Sequence, residues 1–64
     1  MNHTYYIEFI PHMNAYRVYE HGYVGWTVAY VDSLEEAAER AREDGDALIF
    51  IDENNYHHEL VAAK

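Results

Sequence analysis

Polar and apolar positions follow a period of two through the first half of the chain. They shift to a helical period over Ser33–Gly45 and merge into an unbroken apolar run at Ala47–Ile51. Successive side chains of a strand point to opposite faces, so Thr4–Ile10 sets Tyr5, Ile7 and Phe9 against Thr4, Tyr6, Glu8 and Ile10. Pro11–Asn14 ends that strand, because proline cannot donate to a ladder and asparagine tolerates turn geometry. Ala15–Glu20 is a second strand, with Tyr16 and Val18 on one face and Ala15, Arg17 and Tyr19 on the other. After a reversal at His21–Gly22, Tyr23–Val31 reads as the third strand. Val24, Trp26, Val28 and Tyr30 make its heavy face, and Gly25, Thr27, Ala29 and Val31 its light one.

Ser33 and Glu36 stand at capping-box spacing, the serine oxygen accepting an early backbone N–H while Glu36 reaches back to the cap. Glu35 and Glu36 suit the positive end of a helix, and Gly45 can take the left-handed conformation that ends one. Between these signals Leu34, Ala37, Ala38 and Ala41 mark an apolar side, opposed by Glu35, Glu36, Glu39, Arg40 and Glu43. At ~1.5 Å per residue, Leu34–Asp44 spans about 16 Å, too short to be stable in isolation. A side made mostly of alanine needs a close neighbour that supplies bulk. The heavy face of the third strand (Trp26, Val28, Tyr30) is expected to do so, together with Ile7, Phe9, Tyr16 and Val18.

Ala47–Ile51 fits a fourth strand buried on both faces and central in its sheet. Asp52–Asn55 is a polar turn, and Tyr56–Ala63 reads either as a fifth strand pairing back or as a short terminal helix. The fold class is therefore α+β: an antiparallel meander, one helix and a fourth strand, with or without a fifth, in two layers. No repeat or linker divides it, so residues 1–64 are expected to form one small domain.

Composition narrows the function classes. Twelve acidic groups against four basic ones give a formal charge of −8, which disfavours direct binding to a nucleic-acid backbone and suits a protein partner with a basic surface. Cysteine is absent, so disulfides and thiolate ligands are excluded. No apolar stretch resembles a signal peptide or a membrane span, and a cytoplasmic chain is expected. A chain of this size buries only about 60% of its unfolded surface, so pairing with a partner or a second copy would add useful stability.

Specific chemistry finds little footing. His57 and His58 are adjacent, so on a strand they point apart; His12 and His21 fall in successive reversals, and His3 lies near a terminus. No metal site, cofactor or catalytic group is expected from that spacing. Ser33 is a cap rather than a nucleophile, and Asp52, Glu53, Asn54 and Asn55 lack the calcium-loop arrangement. Glu8 could meet Arg17 or His57 on the outer sheet face, which defines the alternative: a small ligand-binding or enzyme-accessory site near Glu8 and the histidines.

The stronger signal is aromatic. Tyr6 and Tyr19 fall on the face away from the helix, beside Arg17, and tyrosine favours interfaces because it is apolar at one end and polar at the other. Glu35, Glu36, Glu39 and Glu43 form a separate acidic helix face that could imitate nucleic acid toward a basic groove. These seven residues are the candidate partner-binding set of a small non-enzymatic interaction module, of the kind phage- or plasmid-type inhibitors and regulators use. The run Asp32–Ala37, DSLEEA, placed after a meander, also resembles the N-terminal domain of HicB-like antitoxins. That resemblance implies a protein-binding role that masks a partner ribonuclease. The proline-glycine segment usual before the helix is missing here, which leaves only the helix opening and strand order in common.

Overall fold

A computed structural model describes residues 3–20 and 27–64. It is an α+β fold of strands β1 (Thr4–Ile10), β2 (Ala15–Glu20), β3 (Thr27–Val31), β4 (Ala47–Ile51) and β5 (His57–Val61), with one helix, α1 (Leu34–Asp44), between β3 and β4. A short 3-10 turn over Pro11–Met13 joins β1 to β2, and Asn14 leaves it in the left-handed conformation that asparagine tolerates.

The strands form a five-stranded sheet in the order β3-β2-β1-β4-β5. Neighbours are antiparallel except β1 and β4, which run parallel, so β3 and β4 also point the same way. A connection between two such strands must cross a face of the sheet, and α1 is that crossover. The C-terminal alternative resolves as strand. The apolar run Ala47–Ile51 is not central; β1 takes the centre, and Ile49, Phe50 and Ile51 are only half-buried because a single helix covers one face.

The helix signals are realised at both ends. Ser33 accepts from the Glu36 N–H at 3.2 Å, and Glu36 reaches back one residue further than expected, accepting from the Asp32 N–H at 3.4 Å. At the other end Gly45 (φ 75°) and Asp46 donate to the carbonyls of Arg42 and Ala41, closing a Schellman turn. Buried Asp46 then accepts from the His3 N–H at 2.9 Å, tying the helix end to the entry of β1.

The core contains Ile7, Val18, Val31, Leu48 and Val61 from the sheet and Ala37, Ala38 and Ala41 from the helix. Ile7 and Leu48 are fully buried, each contributing about 2–3 kcal/mol relative to exposure. Ile7, Val18 and partly buried Tyr16 match the expected core. Val28 and Tyr30 do not: they are 49% and 52% exposed, while Trp26 lies outside the described residues. Ala29 and Val31 of the light face turn inward instead, because Ala29 pairs with Val18 and Val31 with Tyr16, both already committed to the helix side, while the register shift leaves Thr27 on the open side. Small side chains there let an alanine helix approach closely, so register outranks bulk. Phe9, also expected inside, remains 42% exposed. It shares the row of Tyr16 and Val31 at the end of the sheet where α1 begins, and packs edge-on against Tyr16 at 5.2 Å.

Candidate contact face

The side of the sheet away from α1 has no covering layer among the described residues, and its side chains are placed by period two along five strands. Tyr6 and Tyr19 sit directly opposite each other on β1 and β2, as do Glu8 and Arg17. The tyrosine rings meet edge-on at 5.7 Å, and Tyr6 makes a second edge contact with His57 of β5 at 5.5 Å. An aromatic line therefore runs from β2 to β5.

Arg17 holds the polar half of this face. Its Nη1 donates to Glu8 Oε1 at 3.0 Å, its Nε donates to Thr27 Oγ1 at 2.8 Å, and its guanidinium carbon lies 4.6 Å from the Tyr19 ring centre. Thr27 reaches this position because the β2–β3 register shifts between Val18 and Tyr19, which sets Thr27 opposite Tyr19 and leaves Val28 unmatched. The guanidinium is thus engaged on three sides, and a cross-strand charge pair of this sort contributes about 0.2–1 kcal/mol. Burial pushes the Tyr19 hydroxyl above its ordinary value, with nearby Glu8 adding and Arg17 opposing, so Tyr19 is a neutral donor at neutral pH.

Tyr6, Arg17 and Tyr19 are therefore brought together. Glu35, Glu39 and Glu43 are exposed on α1, in the opposite layer, and Glu36 is also exposed but partly occupied by the cap. The seven candidate residues consequently form two surfaces. His57, expected on the outer sheet face only as part of the alternative site near Glu8, joins the open face against Tyr6, and Tyr30, expected in the core, stands there opposite Arg17.

The other histidines disperse. His3 Nδ1 lies 3.1 Å from Glu20 Oε1, and His58 Nε2 lies 2.8 Å from Asp52 Oδ2. His12 is exposed in the 3-10 turn, and His21 lies outside the described residues. Among the described residues no group of three metal-ligating side chains converges. Asp52 works as a turn former, its Oδ1 accepting from the Asn54 and Tyr56 N–H groups at 2.9 and 3.0 Å. Grooves of about 190 and 350 Å³ flank α1, and neither is lined by Glu8 or a described histidine.

No helix among the described residues is long and apolar enough to cross a membrane. The chain matches no protein-family model, no curated protein and no solved structure.

Proposed function

We propose that the chain is a non-enzymatic protein-interaction module whose contact surface is the open face of the sheet. The observation that carries this reading is the line Tyr19–Tyr6–His57, three rings in edge contact on the side of the sheet that no layer of the described residues covers. Each ring already packs against its neighbour, which lowers the side-chain entropy that binding would cost. The Glu8–Arg17 pair satisfies its own charges, which lets a partner desolvate it without leaving an unpaired ion. Replacing Tyr6 and Tyr19 with serine tests the proposal: partner capture from native extract should fall, while the unfolding midpoint stays near wild type. Undiminished capture contradicts it.

The resemblance to HicB-like antitoxins supports a narrower version, because a Ser33-capped helix does follow the meander. In that version the partner is a ribonuclease toxin, and co-expression should neutralise its toxicity through the same tyrosines.

A further inference from the structure

A helix with its side chains is about 10 Å across, whereas five strands at ~4.8 Å spacing extend over about 19 Å. One helix cannot cover that width, and a groove of about 350 Å³ is left between α1 and β5. Leu34 and Ala38 of the helix and Leu60 of β5 supply its apolar surface; Glu35, Glu39 and Arg42 complete the lining. Leu60 is there because the β4–β5 register skips it: Leu48 pairs with Val61 and Ile49 with Glu59, and Leu60 stays 36% exposed. Glu35 and Glu39 have no ion-pair or side-chain hydrogen-bond partner among the described residues, whose three ion pairs use other groups.

We infer that this groove docks a basic amphipathic helix of a partner protein. The groove follows successive turns of α1 from Leu34 to Arg42, the direction along which a second helix packs at about 8–10 Å. The apolar stripe of the incoming helix meets Leu34, Ala38 and Leu60, and its lysines or arginines face Glu35 and Glu39. Two unpaired carboxylates on a chain of charge −8 select for cations. A second copy is a poor occupant. The chain has four Lys and Arg in all, Arg17 is engaged by Glu8, and the acidic side of α1 would repel its own image. The groove lies on the layer opposite Tyr6 and Tyr19, so this inference stands or falls apart from the open-face proposal.

The test is a titration of the isotope-labelled full chain with a synthetic helical peptide carrying leucine on one face and lysine on the other. Amide shifts should concentrate around Leu34, Ala38 and Leu60. Leu60→Ser should weaken binding about tenfold, as should Glu35→Lys with Glu39→Lys; Tyr6→Ser with Tyr19→Ser should leave it unchanged. The glutamate counterpart of the peptide should not bind. Both charge reversals lie at exposed helix positions, so they remain informative even where Leu60→Ser unfolds the chain. Absence of binding, shifts scattered over the acidic surface, shifts on the open face, or a doubled solution mass without peptide would each overturn the assignment.

Discussion

The helix-side and open faces of the sheet share one backbone ladder yet are built on different rules. On the covered side Ile7, Val18, Val31, Leu48 and Val61 are aliphatic and meet alanines, so stability there comes from close approach and exclusion of water. On the open side Tyr6, Tyr19 and His57 touch edge to edge and Arg17 closes on Glu8, so groups satisfy one another within the plane of the face. The contrast teaches that size does not decide which side of a strand is core. Tyr30 is the larger residue and Val31 the buried one, because the neighbouring strand fixes which of them faces the helix.

The largest effects should come from the covered side. Ile7→Ala or Leu48→Ala removes a fully buried side chain and should cost about 2–5 kcal/mol, read from urea unfolding. Ser33→Ala deletes the acceptor of the Glu36 N–H and should cost about 1 kcal/mol in the same assay. Arg17→Met, which removes no contact of the core, should cost about 1 kcal/mol or less in the same assay and weaken partner binding, because it leaves the Glu8 carboxylate unpaired in the contact face.

The smallest effects are electrostatic. The hydrogen bond from His58, followed by the Tyr56 N–H, holds the Asp52 carboxyl below its ordinary value of 3.8. Its stabilising contribution is therefore complete above that unfolded value and is lost as pH falls through the lower folded one. Asp52→Asn should lower Tm slightly at neutral pH, where that contribution is complete, and flatten the acid limb, so that the two Tm-against-pH curves converge below the folded value. Tyr5 behaves oppositely: burial, then Asp46, raises its hydroxyl above 10.0, so its contribution is complete below that value and is lost as pH rises through the folded one. Tyr5→Phe should therefore make unfolding less steep at alkaline pH.

Much of this division was legible where the signal is local. The cap at Ser33, the alanine side and the stop at Gly45 all act within a few residues, and α1 appears with the expected bounds. Tyr6, Arg17 and Tyr19 share a face because β1 and β2 keep an unbroken period of two. The rest depended on strands distant in sequence. Which side of β3 turns inward is set by Val18 and Tyr16; β4 sits off-centre because β1 accepts it in parallel; β5 is a strand because β4 offers it an edge. Leu60 was hidden as an exposed apolar residue because the register shift between Leu48 and Ile49 skips it, which breaks the alternation within β5.

The most direct test is the relative stability of two neighbours on β3, Tyr30→Ser and Val31→Ser, in urea. Tyr30→Ser should lie within about 0.5 kcal/mol of wild type and Val31→Ser should lose about 2 kcal/mol or more. The reverse ranking would place the heavy side of β3 under the helix and contradict the assignment of the open face.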